Sequence, residues 1–461
     1  MIDNVTIVIL AAGLGTRMVS RKAKVLHQAG GLTLIEHVVK AAMELTSPER
    51  VVVVVGHQAE CVQQTLEGSG VRFVLQREQK GTGHALAQCA SLISESGGQV
   101  IVAYGDCPML KAETLQRLRM HHASANAAAT LITTDLPDPA GYGRIIRDAS
   151  GNVIAIVEEK VATAEQKAIC HINSGIYCFE AGLLWQCLPE IKPNPISHEY
   201  YLTDIVEVFN QRGSRVSALV HQDAYELLGI NTRLELSEVD RQLRKRKIHE
   251  LMKAGVSVLH PETVLVDMAV NVGMDSLLEP LAQLLGNTVV GENCRIGTGA
   301  ILQDCRIAEN VHIAPYSILN GSVVGSKATI GPFARLRDTD QVAAGAHIGN
   351  FVELKKTKLG AGAKAGHFAY LGNAEIGDDS NIGAGTIVCN YDGKKKHRSQ
   401  LGQRTFIGSN STLVAPVNIG DDAYVAAGSV ITHSVPPDAL AIGRSRQSNK
   451  EGWAKRRRDS K

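Results

Sequence analysis

An aliphatic residue followed by glycine recurs six positions apart in the stretch IGDDSNIGAGTI, residues 376–387. The same pair returns at Val290-Gly291, Ile296-Gly297, Val324-Gly325, Ile330-Gly331, Ile348-Gly349, Leu359-Gly360, Ile407-Gly408 and Ile419-Gly420. A period of six fits neither a helix nor an ordinary strand, and it is typical of a parallel β-helix. The aliphatic side chain would point into the coil and the glycine would let the chain turn a corner. Each rung then covers the next, and the core is continuous.

The repeat array is predicted to run from about residue 289 to residue 431. Its rhythm is interrupted at residues 335–348 and again at residues 388–406. Interruptions of a regular array map to loops that leave one face, and loops on a rigid scaffold often carry binding residues. Both segments are therefore candidate positions for a functional site.

The first half of the chain has a different pattern, in which short apolar runs alternate with helical stretches. The runs are residues 6–10 (TIVIL), 51–55 (VVVVV), 71–75 and 100–104. This alternation predicts a doubly wound, Rossmann-like α/β sheet, whose ligands lie beyond the carboxyl ends of the strands. A charged stretch without Pro or Gly then predicts a long, exposed connecting helix. The expected domains are residues 1–233, a linker helix at 234–254, and a repeat domain at 255–461.

The totals exclude several classes of protein. The chain has 461 residues, enough for two or three domains, and a formal charge of +2. Residues 450–461 hold six basic and two acidic residues, which is typical of a solvated, mobile end, and no basic excess elsewhere indicates a nucleic-acid partner. Nine scattered cysteines without C-x-x-C predict reduced thiols in a cytoplasmic protein. We expect neither a secretory signal nor a membrane span.

A glycine loop, LAAGLGTRM, follows the first apolar run at residues 10–18. Its two glycines let backbone N–H groups approach an anion, and the cations Arg17 and Lys24 could hold a triphosphate. Asp106, at the end of the fourth run, offers a carboxylate of the kind that Mg²⁺ binds. A Gly-x-Gly loop alone is equally typical of a structural turn, and a lone Asp at a strand end is equally typical of a helix cap.

These motifs resemble the sugar-phosphate nucleotidyltransferases, in which LAAGxGTRM is followed by a lysine seven residues after the arginine. The resemblance continues at Gln76, Gly81–Ala85, Tyr104–Asp106, Gly141–Arg144, Asn173–Gly175 and Gly229–Arg233. With the six-residue array, the whole chain resembles the bacterial family of bifunctional N-acetylglucosamine-1-phosphate uridylyltransferases/glucosamine-1-phosphate acetyltransferases. The resemblance implies acetylation of glucosamine 1-phosphate by acetyl-CoA, then reaction with UTP to UDP-N-acetylglucosamine and pyrophosphate. That product supplies peptidoglycan and lipopolysaccharide synthesis.

The same resemblance assigns roles in the first domain. Arg17 and Lys24 would bind phosphates, and Asp106 and Asn231 would bind Mg²⁺. The uracil and ribose would contact Leu10, Ala11, Ala12, Gly13, Gln76, Gly81 and Thr82, and the sugar would contact Tyr104, Gly105, Gly143, Glu158, Asn173 and Asn231. Two residues depart from the family pattern. Leu14 stands where many relatives carry lysine, and Ala23 stands where proline commonly precedes the lysine.

A second group of polar residues decorates the array. His367 is flanked by small residues, and although a lone histidine is usually structural, its neighbours include Arg337, Lys355, Tyr370 and Asn381. Two cations can bind a phosphate, and a neutral imidazole can accept a proton from an attacking amine. Resemblance to hexapeptide acyltransferases implies that His367 is the general base and that its four neighbours bind glucosamine 1-phosphate.

The resemblance also implies an acetyl-CoA site between the subunits of a homotrimer. Its residues would be Ala384, Asn390, Tyr391, Ser409, Ala427 and Arg444. The segment Arg337-Asp338-Thr339 departs from the family, which usually has Pro-Gly after the arginine.

Two alternative functions remain open at this point. A single-activity sugar nucleotidyltransferase could use the array only for assembly, although a structural coil would not need the polar group around His367. A non-catalytic scaffold could keep the fold without the chemistry, although the presence of Arg17, Lys24 and Asp106 together argues against it.

Overall fold

The computed structural model of the chain describes residues 5–93, 98–337 and 339–460. It divides into two compact units, residues 1–243 and 244–461. The boundary lies inside the predicted connecting helix.

A nine-stranded sheet forms the centre of the first unit. Its strands are β1 Val5–Ala11, β2 Val51–Val55, β3 Arg72–Leu75, β4 Gln99–Tyr104, β5 Ala129–Asp135, β6 Gly143–Arg147, β7 Val153–Val157, β8 His171–Glu180 and β9 Val216–Val220. The order is β9-β5-β8-β4-β1-β2-β3, and β6 pairs with β8 and β7.

The four predicted apolar runs lie side by side as the parallel strands β4-β1-β2-β3, with Ile9 of β1 opposite Val53 and Ala103. The predicted α/β fold is confirmed. Sequence reasoning missed β8, which runs antiparallel to β4 and β5. Its polar segment Asn173–Gly175 interrupts the apolar run at a shift of register, so no continuous hydrophobic stretch marks the strand.

Eleven helices appear among the described residues. They are α1 Leu34–Met43, α2 Ala59–Thr65, α3 Thr82–Ala87, α4 Ala90–Ile93, α5 Ala112–Ala125, α6 Ala164–Lys167, α7 Ala181–Cys187, α8 Ile205–Gln211, α9 Ala224–Leu227, α10 Arg233–Lys253 and α11 Trp453–Asp459. A capping box at Thr33 and Glu36 begins α1, because it satisfies backbone N–H groups that lack partners in the helix. A small hairpin joins Gln28–Ala29 to Leu32–Thr33.

Three parallel sheets form the second unit, and each coil contributes one strand to each sheet. The first coil sheet contains Ser257–Val258, Leu277–Leu278, Arg295–Ile296, His312–Ile313, Thr329–Ile330, His347–Asn350, Lys364–His367, Asn381–Ile382, Phe406–Ile407, Tyr424–Val425 and Leu440–Ala441. The second contains Leu265–Val266, Gln283–Leu285, Ile301–Gln303, Ile318–Asn320, Arg335–Arg337, Glu353–Lys355, Tyr370–Gly372, Ile387–Cys389, Thr412–Val414 and Val430–Ile431. The third contains Asn271–Val272, Val289–Val290, Arg306–Ile307, Val323–Val324, Gln341–Val342, Lys358–Leu359, Ala374–Ile376, Ser399–Leu401 and Asn418–Ile419.

One inward aliphatic residue per strand fills the coil. Leu302, Leu319, Leu336 and Leu354 pair in succession at spacings of 17, 17 and 18 residues, and all four are buried. The six-residue repeat predicts a parallel β-helix, and the resemblance to hexapeptide acyltransferases implies the left-handed form. The observed architecture is consistent with a left-handed parallel β-helix.

The array is longer than its glycine pattern indicates. It begins at Ser257–Val258 rather than near residue 289, and it ends at Leu440–Ala441 rather than at residue 431. The first coils keep the inward aliphatic residue but replace the following glycine, for example in Val258-Leu259 and Leu278-Glu279. Core packing needs only the inward residue, so the coil persists where the sequence signature does not.

The two predicted interruptions have different outcomes. The loop expected at residues 335–348 is wrong, because Leu336 and Val342 keep the regular register with the next coil; Asp338 itself lies outside the described residues. The second interruption is confirmed, since Ile376 pairs with Leu401 at a spacing of 25 residues instead of 17 or 18. The additional residues form a loop at the edge of the coil.

The helix α10 is less exposed than the sequence indicates. Ile248 and Leu251 belong to the core of the coil unit, and Arg244 donates to Asp267 Oδ1 at 2.7 Å. The dense run of charges therefore is not uniformly solvated. The basic tail forms the exposed helix α11, and Lys461 lies outside the described residues.

All nine cysteines fall within the described residues and are free thiols, as predicted. None of the described helices is both long and apolar enough to cross a membrane.

Candidate active sites

The strands β1 and β4 bring their carboxyl ends together at the first site. The N–H of Gly105 donates to the carbonyl of Leu10 at 3.0 Å. The chain then leaves β1 and folds back over Lys24 at Gly15, where φ is 61° and a Cβ atom would lie 2.6 Å from Lys24 Cβ. Glycine is therefore required at position 15 for the close approach. Leu10, Ala11 and Ala12 are buried, and Gly13 is exposed at the start of the loop.

Lys24, Asp106, Arg17 and Asn231 form one cluster, although they are distant in the sequence. The Lys24 ammonium contacts Asp106 Oδ2 and donates to Asn231 Oδ1 at 3.0 Å. Arg17 Nη2 donates to the same Asn231 oxygen at 2.8 Å. The side chains of Lys24 and Asp106 are only 16% and 14% exposed, so solvent screens their attraction weakly.

The Asp106 carboxylate and the Asn231 amide oxygen both contact the Lys24 ammonium. Oxygens of these two kinds are also ligands of Mg²⁺ in proteins. The residues therefore fit the metal that the sequence predicts. Within the described ranges, no group of three or more His, Cys, Asp or Glu side chains could hold a metal. Phosphate oxygens and water would have to complete the coordination of a Mg²⁺ ion here.

The segment Gly229–Asn231 is held against Asp106. The N–H of Ile230 donates to the Asp106 carbonyl at 2.9 Å, and a Cβ atom on Gly229 would lie 3.3 Å from both carboxylate oxygens. These contacts explain why Gly-x-Asn occurs here: the glycine leaves space for the carboxylate, and the asparagine oxygen then faces the same cation.

Gln76, Gly81 and Thr82 form one wall beyond the end of β3. The Gln76 amide, 3% exposed, donates to the carbonyl of Gly81 at 3.1 Å and lies 3.0 Å from His84 Nδ1. Thr82 Oγ1 accepts from the N–H of Leu202 at 3.0 Å. These bonds fix the positions of the polar groups along this wall.

Gly143, Glu158 and Asn173 form a second pocket. A Cβ atom on Gly143 would lie 2.9 Å from Ile156 Cγ2 and 3.8 Å from both Asn173 Cβ and Glu158 Cδ, so the packing of Ile156 favours glycine beside these two polar residues. The Asn173 amide donates to the Tyr177 hydroxyl at 2.6 Å, and Thr203 Oγ1 donates to Glu158 Oε1 at 3.1 Å. Burial raises the pKa of the Glu158 carboxyl, and the Thr203 hydrogen bond partly opposes the rise.

Tyr104 closes the same pocket against Gly175, where a Cβ atom would come within 2.4 Å of the ring. Burial raises the pKa of the Tyr104 hydroxyl, so the ring presents a neutral donor. Sequence reasoning missed Tyr177 and Thr203, which orient Asn173 and Glu158. For Thr203 the only available signal was that residues 200–204 are largely polar, and this segment matches no short motif.

The second site lies along one corner of the coil. Asn350 pairs with His367, and Ile382, Ile407 and Val425 pair in succession. The carbonyls of Ala384 and Ser409 accept from the next coil at 2.7 and 2.8 Å. The corner column therefore contains Asn350, His367, Ala384, Ser409 and Ala427, which unites the predicted base with three of the predicted acetyl-CoA contacts.

His367 is exposed, and its Nδ1 lies 3.0 Å from Asn350 Oδ1. An amide oxygen can only accept a hydrogen bond, so this contact places the ring proton on Nδ1. The lone pair of Nε2 is then free to accept a proton, as a general base requires. Sequence reasoning missed Asn350, whose signal is its position one coil before His367.

Arg337, Lys355 and Gly372 pair in succession, and each is the last residue of its strand in the second coil sheet. A Cβ atom on Gly372 would lie 2.7 Å from the Tyr370 hydroxyl and 2.6 Å from Asn390 Nδ2. The structure therefore brings Arg337, Lys355, Tyr370 and Asn390 together. Arg337 Nη1 also donates to Glu353 Oε1 at 3.1 Å.

The inserted loop begins at Asn390, which is 5% exposed and donates to Asn373 Oδ1 at 2.7 Å. Asp392 accepts from the N–H groups of Lys394 and Lys395, both at 2.7 Å. These backbone bonds, together with His397, hold the pKa of Asp392 well below its usual range. The loop is thus locally fixed while Tyr391 remains 60% exposed.

Two predicted residues lie away from the His367 corner. Asn381 pairs with Lys364, which lies three residues before His367. Asn381 is therefore displaced from the corner column by roughly 10 Å along the strand direction. Arg444 is exposed and follows Gly443, whose carbonyl accepts from the N–H of Val430 at 3.0 Å.

Comparisons with known proteins agree with this division into two kinds of structure. Residues 7–160 match the MobA-like NTP transferase domain. Residues 260–343 match the C-terminal domain of GMPPB, and residues 400–433 match the hexapeptide repeat of succinyl-transferase.

Full-length relatives carry the same arrangement. The bifunctional protein GlmU of Solibacter usitatus is 56% identical over 453 residues, covering 98% of this chain and 97% of the relative. This chain belongs to the GlmU family. The GlmU proteins of Koribacter versatilis and Streptococcus agalactiae are 44% and 42% identical, each over 98% of this chain and 97% of the relative.

Membership of the GlmU family covers both units, because the alignments extend through the coil as well as the α/β sheet. The relatives are named bifunctional. A single-activity nucleotidyltransferase with a purely structural coil is not supported.

Proposed function

We propose that the two sites catalyse successive reactions on one sugar. The coil site transfers the acetyl group of acetyl-CoA to glucosamine 1-phosphate. The α/β site then transfers UMP from UTP to N-acetylglucosamine 1-phosphate, releasing pyrophosphate. The product, UDP-N-acetylglucosamine, is a precursor for peptidoglycan and lipopolysaccharide.

In the α/β site, Gln76, Gly81 and Thr82 hold the uridine, and Arg17 and Lys24 hold the phosphates. The pocket of Gly143, Glu158 and Asn173 holds the sugar. A phosphate oxygen of the sugar attacks the α-phosphorus of UTP in line with the bond to pyrophosphate, which breaks. Such transfers depend on alignment and on neutralisation of charge rather than on a covalent intermediate.

Asp106 and Asn231 would hold Mg²⁺ in this site. The bound ion supplies charge neutralisation for the phosphates. The Lys24 ammonium already lies between these two oxygens, which supports their role as a pair of ligands. With the metal held by these two oxygens, the Lys24 ammonium would be available to the phosphates.

In the coil site, Arg337 and Lys355 hold the phosphate of glucosamine 1-phosphate, and Tyr370 and Asn381 orient its sugar ring. His367 Nε2 accepts a proton from the amino group while the nitrogen attacks the thioester carbon. The C–S bond breaks, and CoA leaves as a thiolate that takes up the proton held on His367. Ala384, Asn390, Tyr391, Ser409, Ala427 and Arg444 contact acetyl-CoA in this proposal.

The observation that carries the proposal is the hydrogen bond between His367 Nδ1 and Asn350 at 3.0 Å, in a compact unit that does not contain Asp106. A coil used only for assembly needs no histidine with a fixed tautomer. The α/β cluster then accounts separately for nucleotidyl transfer.

We also place the protein in the cytoplasm, in accord with its nine free thiols. The proposed functional domains are residues 1–233 and 255–461, joined by the helix at 234–254.

The corner column includes the exposed His367, and a homotrimer about the coil axis would place a neighbour there and complete the acetyl-CoA site. Sedimentation equilibrium should then give about three times the 49.3 kDa of the chain. A monomeric mass in an active preparation would contradict the shared site.

The central experiment supplies the protein with glucosamine 1-phosphate, acetyl-CoA, UTP and Mg²⁺. Free thiol and pyrophosphate are followed independently. We expect thiol release with glucosamine 1-phosphate and acetyl-CoA alone, and pyrophosphate release with N-acetylglucosamine 1-phosphate and UTP alone. Pyrophosphate without any thiol would leave only the nucleotidyl activity.

A further inference from the structure

Gln58 binds the backbone of the phosphate-binding loop with both ends of its amide. Its Oε1 accepts from the N–H of Ala23 at 2.8 Å, and its Nε2 donates to the carbonyl of Arg21 at 2.7 Å. These two loop residues flank Lys22, and Ala23 directly precedes Lys24. The amide therefore fixes the backbone from which the Lys24 side chain extends.

The backbone conformation at position 58 is unfavourable for glutamine. Gln58 has φ 53° and ψ 43° and stands at the N-cap of α2, where its side chain makes no cap hydrogen bond. A residue with a Cβ atom adopts this left-handed region at a cost that glycine does not have. Local conformation would thus favour glycine at position 58, and the two bonds to the loop are what the glutamine adds.

Ala23 has the conformation of a proline without being one. Its φ is −54° and its ψ is 140°, within the range that a proline ring imposes. Proline has no N–H and could not donate to Gln58. Alanine leaves φ free to rotate, but it keeps the N–H that the Gln58 amide binds.

We propose that Gln58 is a positioning residue for Lys24: its amide holds the backbone on both sides of Lys22 and keeps Ala23 in the conformation that a proline at position 23 would fix covalently. The proposal rests on the proposed function, in which Lys24 binds the phosphates of UTP. It explains how a loop with Ala23 in place of proline keeps a defined geometry.

The test uses three full-length variants. Gln58→Gly removes the amide and relieves the left-handed backbone, whereas Gln58→Met removes the amide at nearly constant side-chain length. Gln64→Met makes the same change at an exposed residue of α2 and serves as the matched control. We expect both Gln58 variants to raise the KM for UTP about three- to tenfold, the effect of losing such hydrogen bonds.

Other readouts separate positioning from a loss of folding. Acetyl transfer and the KM for N-acetylglucosamine 1-phosphate should stay within about twofold of the parent values. The thermal midpoint of Gln58→Gly should not fall, because glycine suits the backbone at position 58. Trypsin should cut the Arg21–Lys22 bond faster in both Gln58 variants of the whole protein, since the Arg21 carbonyl is no longer held.

A compensating change provides the decisive comparison. Ala23→Pro in the Gln58→Gly background should return the KM for UTP to within about twofold of the parent, because the ring now restrains φ. In the parent, Ala23→Pro should bring no gain, since the ring atom replaces the N–H that Gln58 binds.

The outcomes distinguish this proposal from the one on which it rests. A parent protein without pyrophosphate release would overturn the proposed function, and the tryptic rates would still report whether Gln58 holds the loop. An active parent whose Gln58 variants keep the parent KM for UTP and the parent cleavage rate would overturn the positioning role. A raised KM that Ala23→Pro fails to rescue would likewise count against it.

Discussion

The side chain of Asn350 determines which nitrogen of His367 can act as the base. The contact at 3.0 Å keeps the proton on Nδ1, and without it the imidazole can adopt the other tautomer or rotate. Such an orienting partner usually matters less than the base itself, since the base remains present in a fraction of the molecules.

We therefore expect His367→Ala to lower kcat for acetyl transfer by about 10²–10⁴-fold and Asn350→Ala by about tenfold, the value of one well-placed hydrogen bond. Steady-state thiol release measures both. Asn320→Ala, at an exposed position of the second coil sheet, is the control and should have parent activity. An Asn350→Ala variant with parent kcat would remove the tautomer argument.

Asp204 carries a pH dependence of stability. Burial raises its pKa to about 6, with Glu207 and Glu158 adding to the rise. At low pH both the folded and the unfolded chain hold the proton. Between about pH 4 and pH 6 the unfolded chain ionises first, so this group lowers stability as the pH rises through that window and by a constant amount above it.

Replacement of Asp204 by Asn should therefore raise the free energy of unfolding at pH 7.5 by about 1–2 kcal/mol and leave it nearly unchanged at pH 4. Urea unfolding followed by the fluorescence of Trp185, which lies in the first unit, measures both values. Glu67→Gln is the control on an exposed side chain. An equal effect of Asp204→Asn at both pH values would contradict the assignment of the raised pKa.

At the scale of the element, some corners of the coil require glycine and others do not. A Cβ atom on Gly349 would lie 1.8 Å from the carbonyl oxygen of Gly366 in the next coil, which no side chain can occupy without displacing backbone. A Cβ atom on Gly366 itself would meet nothing within 4 Å. Two glycines in successive coils therefore differ sharply in what they tolerate.

We expect Gly349→Ala to lower the free energy of unfolding of the coil unit by about 1–3 kcal/mol, the usual cost of overpacking, whereas Gly366→Ala should change it little. Differential scanning calorimetry compares the two variants. Because Gly349 precedes Asn350, acetyl transfer should fall in Gly349→Ala while pyrophosphate release persists. Equal midpoints for the two alanine variants would show that the coil adjusts at this corner.

The strength of an element's sequence signal decided whether it could be predicted. The run Val51–Val55 was placed with its observed bounds, because a strand buried on both faces must be apolar throughout. The first coils were missed because several of their corners lack glycine, as at Val258-Leu259 and Leu278-Glu279. The loop at residues 335–348 was predicted wrongly for the related reason that a missing glycine does not interrupt the stacking of Leu336 and Val342.

At the scale of the whole molecule, the two sites belong to separate compact units. A substitution in one site should therefore abolish one activity and leave the other intact. Asp106→Ala should reduce pyrophosphate release by at least about 10²-fold, because it removes a proposed ligand of the Mg²⁺ that would neutralise the phosphates in the transition state, and leave thiol release near the parent rate. His367→Ala should show the opposite pattern.

A mixture of these two variants should form UDP-N-acetylglucosamine from glucosamine 1-phosphate, because one protein makes the intermediate and the other consumes it. Chromatography of the products measures the final compound, and each variant alone is the control. Loss of both activities in a folded Asp106→Ala variant would mean that the two sites are not independent.

The sequence by itself determined the two kinds of fold, because these depend on local patterns: an apolar run and a six-residue period. It also predicted candidate site residues, for example in a glycine loop followed by cations. Only the tertiary structure decided how side chains from distant positions orient one another. The proton on His367 depends on Asn350 one coil away, the carboxylate of Glu158 depends on Thr203, and the backbone before Lys24 depends on Gln58. Such pairs leave no periodic trace in the sequence, since a hydrogen bond requires proximity in space and not spacing along the chain.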